Sequence, residues 1–317
     1  MITVGVDISK LKFDIFYQDP SGKKISKVFE NNSAGFEAMF KIIPNSDDIR
    51  VVMEATGNYG YDLANYSYQQ KNEVYVVNPA QIKYYSQSKL RRSKTDKVDA
   101  KLICEFAIAN NDLRPWQPMT LHLAEFRSLH RCLQNLKLDL VQFNNRLESE
   151  RDHSVVSIYE TIIKTIELQI KKMITKIRSL VKTDEKLTQD ISLITTIPGV
   201  AELTAWGILS EVDISQFKTA KQLAAYAGLN SHIRQSGSSV KGRGSISKIG
   251  SAKLRKALYF PAMVALKHNY LIKDFGDRLK AKGKSGKVII VAAMHKLLRM
   301  IFAILKSSKP FREAKTA

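Results

Sequence analysis

Two heptad patterns in the middle of the chain constrain its architecture more than any other feature. Apolar residues recur at alternating spacings of three and four from Phe126 to Leu147, and again from Tyr159 to Leu180. Such spacing is typical of an amphipathic helix with one apolar seam. His153 and Ser154 mark the expected bend between the two helices. The pattern predicts a long helical coiled-coil connector, over residues 116–186, that separates two domains.

The two heptad helices can bury their seams in two ways. They can pack on each other as a hairpin within one chain, or they can pair between protomers and make the protein a homo-oligomer, either a dimer or a tetramer. The heptad spacing favours neither arrangement over the other.

The segment before the connector, residues 1–115, alternates strands with helices. A β-meander is predicted first, and helices then separate the later strands. The expected strands lie at residues 2–6, 11–17, 25–29, 51–54 and 73–77. This order is typical of an α/β domain.

The segment after the connector, residues 187–317, is predicted to be mainly α-helical. Its apolar helices are interrupted by glycines, and a loop rich in Gly, Ser and Lys is expected over residues 235–250. Most of the chain's formal net charge of +20 lies here: residues 218–317 hold 22 Lys or Arg but only Asp274, Asp277 and Glu313, which gives +19. Such a charge attracts polyanions, above all nucleic acid.

Four acidic residues are candidates for a metal site. Asp7 and Glu54 are each expected to close a strand, and Asp96 and Asp99 share one face at the start of a helix. Carboxylates in this arrangement can bind Mg²⁺ or Mn²⁺ for phosphoryl transfer. Taken singly, each Asp is equally typical of a turn or a helix cap. Glu54 is different, because a carboxylate directly after Val51, Val52 and Met53 needs a partner.

Nine basic residues are candidates for nucleic-acid binding. Some precede the Asp96 helix, and the others lie in the loop and helix after residue 240. They are Arg91, Arg92, Lys94, Lys241, Arg243, Lys248, Lys253, Arg255 and Lys256.

Short motifs along nearly the whole chain resemble those of the IS110 family of insertion-sequence transposases. In the first domain they are GVD at 5–7, EATG at 54–57, NPA at 78–80 and KTDKVDA at 94–100. In the last domain they are IPG at 197–199, AGL at 227–229, SGSS at 236–239, LRKAL at 254–258 and PAM at 261–263. The resemblance implies a ribonuclease-H-like (RuvC-like) domain over residues 1–115 and a basic transposase domain over residues 187–317.

The same resemblance implies a function and a set of site residues. Asp7, Glu54, Asp96 and Asp99 match the family's four metal-binding acids, and Ser236 matches its nucleophilic serine. The expected activity is excision and insertion of a mobile element in donor and target DNA, guided by a structured noncoding (bridge) RNA. From local sequence alone, Ser236 is more typical of a flexible loop. Whether it and the acids act within one protomer or across two stays open.

Two other classes of protein share parts of this pattern. Sugar-kinase or actin-like ATPases also open with a strand and an Asp, but the residues after Asp7 are Ile8, Ser9 and Lys10 instead of a Gly-rich phosphate loop. A DNA-binding protein without enzymatic activity has no need of the four acids. Cysteine usage and the absence of a secretory or membrane signal favour a reducing cytoplasm. The resemblance implies that this is the cytoplasm of a prokaryote, with the protein associated with the nucleoid.

Overall fold

A computed structural model describes residues 1–44, 48–55, 57, 59–89, 96–232, 235–236, 240–241 and 245–312. At residues 96–98, 232, 235–236, 240–241 and 245 it describes the backbone alone. The chain divides into two compact units, Met1–Met119 and Thr120–Ala317. The proposed boundaries of a separate connector, residues 116–186, stay a prediction.

The first unit is built on a mixed five-stranded sheet. Strands β1 to β3 form an antiparallel meander, and β1, β4 and β5 run parallel, in the order β3-β2-β1-β4-β5. The α/β class that the sequence predicts is therefore correct. The strands are β1 (Ile2–Ile8), β2 (Lys12–Gln18), β3 (Lys24–Glu30), β4 (Ile49–Glu54) and β5 (Glu73–Val77), and the helices are α1 (Ser33–Ile42), α2 (Tyr61–Gln69), α3 (Pro79–Ser88) and α4 (Asp96–Ala109).

The two faces of this sheet bury different helices. Val4 and Val6 of β1 belong to an apolar cluster with residues of α1 and α2. Val52 of β4 belongs to a second cluster, with residues of α3 and α4. Because side chains alternate along a strand, Gly5 and Asp7 lie on the face that α4 covers.

The NPA motif has a visible structural role at the start of α3. The Asn78 side chain accepts a hydrogen bond from the Ala80 N–H at 2.9 Å, and Gln81 completes a capping box. Pro79 occupies the first helical turn, where a missing N–H costs nothing. The motif therefore ends β5 and begins the next helix abruptly.

The second unit is mainly helical. The long helices α5 and α6 pack on each other along their seams, with Phe126, Leu133, Ile163 and Ile177 buried. This is the intramolecular hairpin, one of the two predicted arrangements, while pairing between protomers stays a prediction. The helices are α5 (Leu121–Ser149), α6 (His153–Lys182), α7 (Glu185–Thr195), α8 (Glu202–Leu209), α9 (Ala220–Tyr226), α10 (Ala252–His268), α11 (Tyr270–Ala281) and α12 (Gly286–Ser307).

The Gly- and Ser-rich segment around Ser236 is not simply a loop. Strand β6 (Ser231–His232) pairs antiparallel with β9 (Ser245–Ile246), and β7 (Gln235–Ser236) pairs with β8 (Val240–Lys241). The expectation of a loop over residues 235–250 is therefore wrong at these positions. Two-residue strands are too short to produce a visible alternation of apolar and polar residues. We call residues 231–246 the arm.

Helix α12 is the one helix in the described part of the chain that is long and apolar enough to cross a membrane, with a mean hydropathy of 2.1. Length and composition are weak evidence, because the core helix of a compact domain meets the same criterion. Leu297, Leu298 and Ile301 of α12 are fully buried in the core of the second unit.

Candidate active site

Asp7 and Glu54 occupy neighbouring strands of the sheet. Parallel pairing of β1 with β4 joins Val6 to Met53, so Asp7 and Glu54 are the next residues along the same two strands. Glu54 ends β4, as the sequence predicts, whereas β1 continues past Asp7 to Ile8. Both carboxylates therefore lie at one end of the sheet, on the face covered by α4.

A third acidic residue on this face was missed by the sequence analysis. Asp14 of β2 pairs directly with Asp7 of β1, and its side chain is buried. Cross-strand partners lie on the same face, about 5 Å apart at Cβ, where like charges repel. In the sequence, Asp14 is a single acidic residue among the apolar residues Phe13, Ile15 and Phe16. Only the register of β1 with β2 shows that it lies beside Asp7.

Helix α4 lies directly on strand β1 at Gly5. A Cβ added to Gly5 would lie 2.8 Å from Cys104 Cβ and closer still to the backbone of Ala100 and Cys104. Cys104 Sγ also donates a hydrogen bond to the Thr3 carbonyl oxygen at 3.2 Å. The absence of a side chain at Gly5 is what allows this close approach.

These contacts fix the direction in which α4 crosses the strand. Gly5 lies beneath both Ala100 and Cys104, and the Cys104 side chain also reaches Thr3, so α4 runs towards Thr3 as its residue numbers rise. A turn of about 5.4 Å and two strand residues of about 6.6 Å are nearly equal. Asp96, one turn before Ala100 at the start of α4, is therefore expected towards the Asp7 end of the strand. Asp99 lies in the same first turn, with a half-buried side chain.

The donor chemistry of these residues suits a hard divalent cation. Carboxylate oxygens are the ligands that Mg²⁺ and Mn²⁺ prefer, and Asp7 and Asp14 face each other across two paired strands. Among the described side chains, which exclude that of Asp96, no three His, Cys, Asp or Glu lie close enough to share one ion. The donor chemistry therefore suits a metal, whereas the described side chains of Asp7, Asp14, Glu54 and Asp99 do not form a three-ligand group.

The second candidate centre is the arm that carries Ser236. Ser236 pairs with Val240, and Gln235 pairs with Lys241. Backbone hydrogen bonds close the base of the arm, from Ser247 N to Asn230 O at 2.9 Å and from Ser251 N to Tyr226 O at 2.8 Å. The arm is therefore anchored on both sides.

Arg255 and two glycines hold the base of the arm together. Arg255 Nη1 donates hydrogen bonds to the carbonyl oxygens of Ala227 at 2.9 Å and Gly250 at 3.3 Å. Gly228 and Gly250 have φ angles of +67° and +137°, and a Cβ on either would collide with neighbouring backbone. Arg255, a predicted nucleic-acid contact, thus uses one of its guanidinium nitrogens for hydrogen bonds within the protein.

The remaining predicted nucleic-acid contacts divide into three groups. Lys248, Lys253 and Lys256 are exposed in the segment that leads from the arm into α10. For Lys241 the backbone lies in β8. The others lie outside the described residues: Arg91, Arg92, Lys94 and Arg243.

A polar cluster that no motif in the sequence predicts lies between α5 and the end of α8. Arg131 binds Glu211 with two hydrogen bonds, at 2.9 and 2.8 Å, and Arg127 Nε donates to the Ser210 carbonyl oxygen at 2.6 Å. Burial raises the pKa of Glu211, but its hydrogen bonds and the charge of Arg131 outweigh burial and hold the pKa below its ordinary value. This cluster fixes α8 to α5.

His130 completes the cluster in a neutral form. Its Nδ1 lies 3.0 Å from the hydroxyl of Ser210, and its Nε2 lies 3.2 Å from Gln134 Nε2. Burial lowers the pKa of His130 to about 4. With its proton on Nδ1, His130 would donate to the Ser210 hydroxyl and accept at Nε2 from the Gln134 amide.

Comparison with known proteins identifies the class of the molecule. Residues 4–152 match a transposase profile, DEDD_Tnp_IS110, and residues 191–277 match a second, described as "Transposase IS116/IS110/IS902 family". The protein is therefore a DNA transposase or recombinase.

Similar proteins narrow the class to a family. Two pilin gene-inverting proteins, from Moraxella bovis and Moraxella lacunata, are each 32% identical over 314 residues, covering 97% of both chains. The transposase for insertion sequence element IS1111A of Coxiella burnetii is 25% identical over 98% of this chain and 91% of its own. The chain belongs to the IS110 family of transposases.

Solved structures give a weaker likeness. The RuvC structure of Thermus thermophilus covers 37% of this chain and the whole of its own, with 12% identity and a TM-score of 0.26. The same protein in complex with a Holliday junction substrate has 11% identity and a TM-score of 0.25.

Proposed function

We propose that the protein excises and inserts a mobile element by cutting and rejoining DNA, with a ribonuclease-H-like metal site in the first unit and a serine nucleophile in the second. The main support is the placement of Asp7 and Glu54 on adjacent strands beneath the helix that begins at Asp96. Strand-end carboxylates facing a helix-borne pair are suited to phosphoryl transfer on a nucleic acid backbone.

In this proposal Asp7, Glu54, Asp96 and Asp99 hold Mg²⁺ or Mn²⁺. When bound, such ions neutralise phosphate charge and help to activate the attacking oxygen. The part played by the protein is to keep the carboxylates fixed, which it does through strand pairing and the contact of α4 with Gly5.

Ser236 is proposed to attack a DNA phosphate. Its Oγ would form a new bond to phosphorus while the bond from phosphorus to a DNA oxygen breaks, and the hydroxyl proton would pass to that leaving oxygen through a general acid–base group. The link is a phosphodiester, so rejoining to a second DNA end needs no external energy source. Pairing of the Ser236 backbone with Val240 suits this role, because the nucleophile must be held in place.

The acidic site is tested by replacing Glu54 with Gln. Magnesium-dependent strand cleavage should fall by at least about 10²-fold, since a neutral amide cannot supply the lost charge. Glu73→Gln is the matched control, because Glu73 begins the neighbouring strand β5 at the opposite end of the sheet. Full cleavage by Glu54→Gln, or by the wild-type protein in chelator, would contradict the proposal.

The serine is tested by trapping its product. Wild-type protein should form a protein–DNA adduct that survives denaturation, and Ser236→Ala should form none. Ser231→Ala, in strand β6 of the same arm, should form the adduct normally. An adduct that persists in Ser236→Ala would assign the nucleophile to another residue.

Donor DNA, target DNA and a structured noncoding RNA that guides the choice of site are proposed as partners, and the cytoplasm of a prokaryote, at the nucleoid, as the location. Support comes from the positive charge of +19 in residues 218–317 and from the family's implied RNA guide. Purified protein should carry a discrete RNA, seen as a nuclease-sensitive absorbance excess and then sequenced. Protein that is free of RNA and fully active would contradict guidance.

Inversion of a DNA segment is a second candidate reaction. It is favoured by two relatives, which align over nearly their whole length and are named for the inversion of a pilin gene. A plasmid with two recombination sites in opposite orientations separates the alternatives. Inversion would flip the segment and keep plasmid size, whereas excision would shorten it.

Self-association through the α5–α6 hairpin is also proposed. Five large apolar side chains of these two helices remain exposed: Leu121, Leu138, Val141, Ile158 and Leu168. Light scattering should detect a dimer or tetramer. A monomer, both free and bound to nucleic acid, would contradict this part of the proposal.

A further inference from the structure

The outer surface of helix α10 combines exposed aromatic and apolar side chains with lysines. Phe260 is 70% exposed, and the ring of Tyr259 meets it edge to face at 5.6 Å between centroids. We define the α10 face as the exposed residues Lys253, Lys256, Tyr259, Phe260, Met263, Val264 and Lys267. These positions recur at spacings of three and four, so they share one side of the helix.

The charge of this face selects an anionic partner. Helix α10 contains no Asp or Glu from Ala252 to His268, and its lysines flank the aromatic pair on both sides. A second copy of the same face is a poor partner, because a two-fold interface would bring lysine against lysine. The charge complementarity is therefore with a polyanion.

The aromatic residues indicate whether the polyanion is a duplex or an unpaired strand. The bases of a duplex are stacked on each other and offer only their edges, whereas an unpaired base presents a face that can stack on a side-chain ring. Phe260 lies between Lys256 and Lys267, which are about 16 Å apart along the helix axis at 1.5 Å per residue. That span suits a strand of a few nucleotides.

Recombination of DNA supplies such a strand. When two duplexes exchange strands, each cut strand must leave its old partner before it pairs with the new one. We propose that the α10 face binds this unpaired DNA strand, with Phe260 stacking on a base and the lysines contacting phosphates.

The position of α10 places this surface beside the arm. Ser251, whose N–H closes the base of the arm, also caps α10 by accepting a hydrogen bond from the Leu254 N–H at 3.2 Å. Arg255 ties the first turn of α10 to the same base. The further statement that the bound strand is the one cut at Ser236 rests on the proposed function.

Binding of a fluorescent 15-nucleotide oligothymidine and of a 15-base-pair duplex tests the inference. Phe260→Ala should weaken binding of the single strand by roughly 5- to 150-fold, the range for loss of one stacked base, and leave duplex binding within about twofold. Phe260→Leu is the matched variant, since it keeps apolar volume but has no ring, and it should lose as much as Phe260→Ala.

A third variant reports stacking directly. The fluorescence of Phe260→Trp should be quenched when the single strand binds. Circular dichroism of every variant checks that the fold is retained, so a loss of binding cannot be ascribed to unfolding.

Several results would overturn the inference. Phe260→Ala could weaken duplex binding as much as single-strand binding, or Phe260→Leu could bind the single strand as the wild-type protein does. The protein could prefer RNA tenfold over single-stranded DNA of the same length, or its oligomer mass could change when Phe260 is replaced. If the α10 result holds while no adduct forms at Ser236, only the proposed nucleophile fails.

Discussion

Replacing Gly5 with Ala tests whether helix α4 must lie directly on strand β1 for the acidic site to work. The new Cβ would lie 2.8 Å from Cys104 Cβ and closer to two backbone atoms of α4, where ordinary contact begins near 3.4 Å. The helix must therefore move away by about 1 Å. Overpacking of this kind costs about 1–3 kcal/mol of stability, and a shift of 1 Å in a catalytic group lowers rate by on the order of 10²-fold.

A control separates displacement of the helix from loss of stability. Val4→Ala removes buried methyl groups from the other face of the same strand, at a cost of roughly 1–3 kcal/mol, without pushing α4. Magnesium-dependent cleavage is measured at a temperature where both variants are folded by circular dichroism. Gly5→Ala should lose about 10²-fold and require more magnesium, and Val4→Ala should stay near wild type. Equal losses in the two variants would refute the reasoning.

Three further predictions concern the second unit. Gly250→Ala places a Cβ against the Tyr226 carbonyl oxygen at a φ of +137°, so urea denaturation should show a loss of about 2–5 kcal/mol; an unchanged midpoint would contradict the packing at the base of the arm. Arg131→Met leaves the buried carboxylate of Glu211 uncompensated and should cost about 3 kcal/mol, most of it recovered in the double variant with Glu211→Met; additive losses would show that the pair is not coupled. Because burial lowers the pKa of His130 to about 4 from an ordinary 6.5, the unfolded chain takes up its proton first as pH falls. Stability should therefore be complete above about pH 6.5 and decline down to about pH 4, and His130→Gln should flatten that part of the profile.

Most of the secondary structure was predictable from the sequence because its periodicity is long enough to read. Strand β5 has the predicted bounds, Glu73–Val77, and strand β4 ends at Glu54 as predicted. The seams of α5 and α6 also follow the heptad spacing. The arm was not predictable, because its strands are two residues long and carry no alternation.

The sequence was enough to identify acidic residues as candidates for the site, but not to predict how the strands arrange them. A carboxylate after an apolar run identifies Glu54, but the pairing of Asp7 with Asp14 depends on the register of β1 and β2. Gly5 is a single glycine in a strand, and only the crossing of α4 explains it. His130 is a lone histidine on an apolar helix, so its contact with Ser210, eighty residues away in sequence, requires the fold.

The apolar side chains form separate cores in the two units. Those of the first unit lie on the two sides of its sheet, and those of the second form one cluster drawn from helices α5 to α12. Calorimetry of a chain built in this way should record heat absorption in two steps, since each core can melt on its own. No single melting temperature then describes the protein. A substitution such as Gly5→Ala should shift one step and leave the step of the other unit in place.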